Sequence, residues 1–334
     1  MSANPGDILD AIHPNLKQLS HSSDQLLHRC PRQYELYKLS PATATQELRA
    51  INQHEELYYK DEDNPHLSFG SVVGIGTQHL LCGGSYNSAV MLMLQAWEGH
   101  IDDEAGQWDK KTFWHALFAL DKFIAFKQIA LSNFTIATFD GKPAIELGFV
   151  IHCGGGFTYR GFLDALLIDT LRKELVVYEG KTTKSTSLHQ AAYKNSGQAL
   201  GYSLIIDAII ARLGLPEVGA FKVLYSIYKT KSYEWEKFDF PKTRTQRALW
   251  IRNILFNMQH IREYAEAQYF PMHGESCLAF FRPCNWFEIC EMSNETMFGE
   301  ELPAVKVDDP NKYQFHFDLQ ELIDAQIAKQ EEVL

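Results

Sequence analysis

The stretch "YRGFLDALLIDTLRKELVVYEGKTT", residues 159–183, decides the fold. Two apolar runs flank the polar "DTLRKE"; Asp164 interrupts the first between Leu163 and Ala165, and the second ends in Glu179, Gly180 and Lys181. The runs read as strands, Thr158 to Asp169 and Glu174 to Lys181, joined by a four-residue turn from Thr170 to Lys173. With that turn Asp169 pairs with Glu174, so paired positions sum to 343 and Asp164 falls opposite Glu179. Opposed residues share a face with Cβ atoms about 5 Å apart, and like charges there repel. A divalent cation held between the two carboxylates offsets the repulsion, and oxygen donors suit Mg²⁺ or Mn²⁺. Alternation puts Lys181 on the same face, where an ammonium can orient a water or stabilise charge developing on a phosphorus centre. Acid, acid and amine are the parts required for metal-assisted hydrolysis of a phosphodiester. An E-x-K alternation alone is usually an ordinary solvent-facing charge pattern. An acid inside an otherwise buried run is not ordinary. A one-residue slip would send Asp164 and Glu179 to opposite faces, so the reading depends on register.

Outward from this hairpin, Ile145, Leu147, Phe149 and Ile151 alternate with Glu146, Gly148 and Val150, predicting a preceding strand that begins near Pro143. Downstream, a long helix is predicted from Ser187 to Leu213, with Gly214 as its stop. "FKVLYSIYKT" and "YEWEKFDF" read as another hairpin, and "TRTQRALWIRNILFNMQHIREYAEAQ" as a second long helix. The first third is mainly helical: "SSDQLLHRCPRQYELYKLS" with Ser and Asp as caps, Val72 to Leu81, and "KKTFWHALFALDKFIAFKQIAL". The order predicts an α/β sandwich around a mixed central sheet.

At this point a family resemblance becomes legible. "GFLD" at 161–164, "EGK" at 179–181 and "QALGY" at 198–202 resemble, in order and spacing, the motifs of the RecB-like branch of the PD-(D/E)xK nuclease superfamily. The resemblance implies a restriction-endonuclease-like core, a mixed sheet flanked by helices. It implies that Asp164 and Glu179 bind the catalytic metal and that Lys181 assists the attacking water. Gln198 and Tyr202, one helical turn apart on one face, would position the site or the DNA strand. Gly76-x-x-His79 is similar to the family's helical G-x-x-H element and makes His79 a candidate metal ligand. Glu146 is a secondary acidic candidate. The glycines at 70, 74 and 76 match neither a dinucleotide-binding fingerprint nor a Walker A loop.

Six cysteines occur, at 30, 82, 153, 277, 284 and 290. Clustering of the last three favours a metal or cluster over disulfides, and four thiolates suit either Zn²⁺ or an iron-sulfur cluster. The "CPR" context of Cys30 resembles the iron-sulfur subset of the family, found in CRISPR-associated and helicase-associated exonuclease domains. That implies a [4Fe-4S] cluster on Cys30, Cys277, Cys284 and Cys290 clasping the N- and C-terminal parts, although the C-x6-C-x5-C spacing departs from the commoner C-x2-C-x5-C. Closing so long a loop would stabilise the fold. Cys82 and Cys153 read as small buried hydrophobes.

The chain has 334 residues, 46% of them hydrophobic, enough to bury a full core. A formal charge of -11, from 31 basic and 42 acidic residues, argues against coating nucleic acid through a general positive field. Backbone phosphates would instead meet local cations, with Arg29, Arg32, Lys184, Lys194 and the pair Lys229 and Lys231 as candidates. Neither a signal peptide nor a membrane-length apolar run is evident, so a cytoplasmic protein is expected, in the host cytoplasm if phage-encoded. The expected organisation is a single nuclease domain over 1–334, with a helical part at 1–142, a core at 143–268 and a cysteine region with tail at 269–334. By resemblance the expected activity is a metal-dependent DNA exonuclease acting on single strands or duplex ends in recombination, repair or phage DNA processing, alone or with a recombination or helicase partner. The alternatives are a sequence-unspecific endonuclease, a non-catalytic DNA-binding or scaffold subunit, and a zinc-stapled structural protein.

Overall fold

The structure, a computed structural model, describes residues 12–39, 65–97, 111–139, 141–188, 190–212, 221–279, 282–284, 286–287, 290–294 and 313–331. In chain order its elements are β1 (Gln18–Leu19), α1 (His21–Arg29), α2 (Pro31–Leu39), α3 (Pro65–Leu81), α4 (Tyr86–Ala96) and α5 (Phe113–Ala130). Then come β2 (Phe134–Ile136), β3 (Thr138–Phe139), β4 (Lys142–Pro143), β5 (Ile145–His152), β6 (Thr158–Asp169), β7 (Glu174–Thr183), α6 (Gln190–Lys194) and α7 (Gly197–Arg212). The last are β8 (Phe221–Lys229), β9 (Glu234–Lys242), α8 (Arg244–Glu266), β10 (Leu278–Ala279), β11 (Arg282–Pro283), β12 (Phe315–Asp318) and α9 (Leu319–Glu331).

Two expected helices are each divided. The run around Cys30 is two helices, because the residue before a proline is pushed out of the helical region; Cys30 is extended at φ -159° and Pro31 opens α2. Ser20, in a reciprocal capping box with Ser23, starts α1. The helix expected from Ser187 to Leu213 breaks after α6, and α7 restarts at Gly197.

The chain forms two compact units, each assembled from separated stretches. The first comprises Met1–Glu62, Gly148–Gly161 and Leu249–Leu334. In it β12 runs parallel to the end of β5, with Phe315 beside Phe149 and Asp318 beside His152, and β1 runs parallel to the start of β6. Tyr34 is fully buried and donates its hydroxyl to the Leu16 carbonyl at 2.7 Å. Trp250 packs edge-on to Tyr159, with ring centroids 4.9 Å apart.

The second unit comprises Asp63–Leu147 and Phe162–Ala248. Its sheet is mixed: β6 and β7 are antiparallel, β7 and β8 parallel, β8 and β9 antiparallel, and β2 adds to β6. A parallel pair needs a long crossover, supplied here through α6 and α7. Helices α3, α4 and α5 pack together, and Phe69, Val72, Leu120 and Phe123 join Tyr178 and Leu224 of the sheet in one apolar cluster. Gly76 makes the helix packing possible, since a Cβ there would lie 2.4 Å from Met93 Sδ. The architecture is α/β, a mixed sheet flanked by helices. Among the described residues no helix is long and apolar enough to cross a membrane.

Candidate active site

The β6–β7 ladder runs Asp169 to Glu174, Ile168 to Leu175, Leu167 to Val176, Leu166 to Val177 and Ala165 to Tyr178, each pair summing to 343. The turn is made by Asp169, whose Oδ1 accepts from the Leu171 and Arg172 amides at 3.0 and 3.1 Å, and by Lys173 in the left-handed region at φ 59°. The paired ladder ends there, one step short of Asp164 and Glu179, whose carboxyls are close enough for Asp164 to raise the Glu179 pKa. Asp164 Oδ2 accepts the Gly180 amide proton at 2.8 Å, which fixes its carboxylate beside the second strand.

Glu179 is 2% exposed. Its Oε1 lies 2.5 Å from Lys181 Nζ, while Oε2 has no hydrogen-bond partner among the described residues. Burial, then the neighbouring Asp164, pushes the Glu179 carboxyl up from 4.5 to about 7, against the pull of Lys181. Burial also raises Asp164, while Lys181 and the Gly180 amide pull it down. Desolvation works against the charge on Lys181, but Glu179 and Asp164 outweigh it and raise its pKa.

Two further side chains join these three. Gln78 on α3 donates through Nε2 to Glu146 Oε1 at 2.6 Å and reaches the Asp164 carbonyl at 3.4 Å. Glu146 sits at φ 47°, a costly conformation for a residue with a Cβ, of the kind that concentrates at functional sites. Its carboxyl is raised by burial and by Asp164, with the Gln78 hydrogen bond opposing. On the other side Lys181 Nζ lies 3.4 Å from Gln198 Oε1, and Gln198 Nε2 donates to the Tyr202 hydroxyl at 2.5 Å. Asp164, Glu179, Lys181, Gln198, Glu146 and Gln78 all line one cavity of about 680 Å³. Tyr202 is 4% exposed and supports Gln198 from behind.

His79 stands apart. It is absent from the cavity lining, and its Nε2 lies 2.7 Å from Ser88 Oγ on α4. A Cβ at Gly84 would fall 2.1 Å from that ring, so the glycine makes room for His79 between helices. Successive helical residues point about 100° apart. The face of α3 carrying Gly70, Gly74 and Gln78 therefore meets the cavity and His79 does not. Gln78 had no signal as a ligand type; the i, i+4, i+8 series from Gly70 was the available clue.

The basic candidates diverge. Arg32 is committed inside the first unit, donating to the Cys290 carbonyl at 2.9 Å, Glu35 at 2.5 Å, Asn294 at 2.7 Å and the Met292 carbonyl at 2.6 Å. Lys229 is paired with Glu234 and Glu236 at 3.4 and 3.0 Å. Both are structural cations rather than available phosphate contacts. Arg29, Lys194 and Lys231 are exposed and Lys184 is half-buried.

The four cysteines expected to act together do lie together in the first unit. None is in a disulfide. Burial raises the Cys284 thiol, and Cys30, Cys277 and Cys290 raise it further; Cys290 is raised by burial and by Cys277 and Cys30, with Arg32 opposing. The Cys284 amide donates to the Cys277 carbonyl at 2.7 Å, and Arg32 ties down the backbone at Cys290. Among the described residues, however, no three His, Cys, Asp or Glu side chains close around a single ion, either here or in the cavity. Cys153 is a thiol raised by burial to about 12, and Cys82 is also raised by burial.

No curated protein matches the sequence at a significant level. Among solved structures, the "Putative exonuclease" of Eubacterium rectale is similar at 12% identity and a TM-score of 0.44, covering 88% of this chain and 100% of that one. The structure of SSO0001 is similar at 14% identity and a TM-score of 0.29, covering 67% and 84%. The sequence itself matches the family model of the PD-(D/E)XK nuclease superfamily over residues 18–291, a span that takes in α3, the β5–β7 strands, α7 and all six cysteines. With so much of its length inside that match, the chain belongs to the PD-(D/E)XK nuclease superfamily.

Proposed function

We propose that the cavity of the second unit is the active site of a divalent-cation-dependent deoxyribonuclease acting as an exonuclease on single strands or duplex ends. The observation that carries this reading is Glu179, a 2% exposed acid with an unpartnered Oε2, next to a second, half-buried acid, Asp164, whose carboxylate is held on the Gly180 amide. Burying such a group without a partner is costly, and a cation is the chemistry that offsets it. Asp164, Glu179 and Glu146 would hold Mg²⁺ or Mn²⁺, with Gln78 orienting Glu146; His79 is not in the set. When bound, the ion supplies an acidified water and charge compensation at the phosphoryl oxygens.

The chain's own groups do the rest. Lys181, charged over the whole physiological range, orients the attacking water and meets the charge that develops at phosphorus. Gln198 accepts from Lys181 and donates to Tyr202, so the helix sets where the ammonium points. Lys184 and Lys194 on the same unit are candidates for phosphate contacts, and Arg29 remains one in the other unit.

Cys30, Cys277, Cys284 and Cys290 would hold a [4Fe-4S] cluster as a staple of the first unit. The four thiols perturb one another, and four thiolates suit either an iron-sulfur cluster or Zn²⁺; the CPR context of Cys30 favours the cluster by its resemblance to the iron-sulfur subset.

End-labelled linear and circular DNA, single- and double-stranded, with Mg²⁺ or Mn²⁺, test the reading. Linear DNA should be degraded from its ends while circles persist, and Asp164→Ala and Lys181→Ala should abolish it. Cutting of circles would make the protein an endonuclease; no cutting of any substrate by fully metallated protein would leave a DNA-binding or scaffold subunit.

A further inference from the structure

Beside the catalytic cavity the second unit carries an exposed aromatic groove between α5 and the β8–β9 turn. One stripe of α5 turns Trp114, Phe118, Lys122 and Ile129 outward, with Trp114, Phe118 and Ile129 73%, 42% and 83% exposed. A monomer rarely leaves so much apolar surface together without a use. The groove has about 560 Å³ of space, with Phe118, Lys122 and Ile129 on one side and Tyr233 and Trp235 as its opposite wall; Trp114 continues the same stripe one helical turn beyond the groove's end.

Three features point to one occupant. Trp235 also lines the catalytic cavity, so it is a wall common to both spaces. That indole is fixed, donating from Nε1 to the Ala119 carbonyl at 2.9 Å and stacking on Phe126 with centroids 5.7 Å apart. Phe118 meets Tyr233 edge-to-face at 5.3 Å, so the rings are ordered before anything binds. The charge is also suitable. Lys122 reaches over the groove with Nζ 5.2 Å from the Phe118 centroid, while the one acid in the lining, Glu234, is neutralised by Lys229 at 3.4 Å. Rings that can meet a base face, with a mobile ammonium for a phosphate, are how unspecific single-strand binders work.

We infer that this groove is a stacking platform for the single-stranded part of the substrate, receiving bases that leave or approach the cavity past Trp235. The inference rests on the nuclease reading for the cavity and extends it to strand preference. A duplex end offers only the outer face of its terminal pair, whereas a single strand can offer successive bases, so the groove favours single strands.

Binding and cleavage separate the two ideas. With Ca²⁺ in place of Mg²⁺, fluorescence anisotropy of a labelled single-stranded oligonucleotide and of a blunt duplex is measured for wild type, Phe118→Ala, Trp114→Ala and Lys122→Glu. Stacking of a base is worth about 1–3 kcal/mol, so Phe118→Ala and Trp114→Ala should each raise the single-strand Kd roughly 5- to 100-fold. Duplex affinity should move less than about twofold, and Phe118→Trp should restore single-strand binding. Single-strand affinities within about twofold of wild type in all three variants would overturn the inference, as would equal losses on duplex; a protein-docking face would give the first result. If Phe118→Ala fails to fold, Trp114→Ala and Lys122→Glu decide the matter, because both side chains are exposed. Cleavage of the same oligonucleotide by wild type with Mg²⁺ is read independently. Groove-dependent binding without cleavage would sink the nuclease reading and leave the platform standing.

Discussion

Replacing Glu179 by Gln should make the ion-free protein more stable at alkaline pH while removing its activity. Glu179 is an acid whose folded pKa is raised, from 4.5 to about 7, chiefly by burial and then by Asp164. The stability such a group contributes is fully present below 4.5 and is lost as pH rises through about 7. Integrated over the two titrations, the ionised carboxylate costs about 3 kcal/mol at pH 8 and less than about 1 kcal/mol at pH 5. Glutamine has nearly the same shape and no charge, so the cost disappears. The value of about 7 already includes the pull of Lys181, so losing that contact calls for no separate subtraction, and the ammonium keeps Asp164. An imperfectly bonded buried amide subtracts about 1 kcal/mol. The variant should therefore gain about 2 kcal/mol at pH 8 and nothing at pH 5, as read by urea unfolding in chelator. Cleavage should fall at least about 100-fold, the range for a group acting on the reacting centre. A variant that is destabilised equally at both pH values would refute the reasoning, because it would mean that Glu179 is well bonded and ionised in the folded protein.

Gln78→Ala should weaken Mn²⁺ binding about 10- to 100-fold in calorimetry, as loss of an outer-shell partner does, whereas His79→Ala should leave it within about twofold. Arg32→Lys cannot reproduce the guanidinium fork and should cost about 2–3 kcal/mol in unfolding of the first unit, with DNA affinity unchanged in the same preparation. Anaerobically purified wild type should be brown with about four irons per chain, and Cys284→Ser should be colourless; zinc in place of iron in the wild type would refute the cluster.

Much of the site was legible because a hairpin is a short-range object. A turn made by Asp169 fixes the register locally, and the ladder carries it to Ala165 and Tyr178, the neighbours of Asp164 and Glu179, with no long-range information. The Gln198 and Tyr202 pair was legible for the same reason, being one turn apart on a helix. What failed was phase between elements. Whether α3 offers Gln78 or His79 to the sheet depends on how the helix is rotated by its packing on α4 and α5, set by contacts such as those at Gly76. Arg32 was misjudged because its partners Glu35, Cys290, Met292 and Asn294 include three that lie some 260 residues away in sequence. The left-handed Glu146 has no sequence signature at all, since strand alternation is the same whatever its φ.

These misses bear on the choice between an enzyme and a scaffold. A charged face retained without use would be free to relax: Glu179 could hydrate, Glu146 could adopt an ordinary strand conformation, and Gln78 could turn to solvent. Instead Glu179 is 2% exposed with one oxygen unpartnered, Glu146 is held at φ 47°, and the Gln78 amide is committed to holding it. The first two are each unfavourable by about 1–3 kcal/mol, and all three converge on the same cavity. A phosphate-binding scaffold would profit from Lys181 without any of those costs, because three neighbouring acids weaken rather than strengthen its attraction for an anion. The arrangement becomes favourable once a cation sits among the acids, and a cation and an ammonium in one cleft suit a phosphodiester under attack better than one merely held.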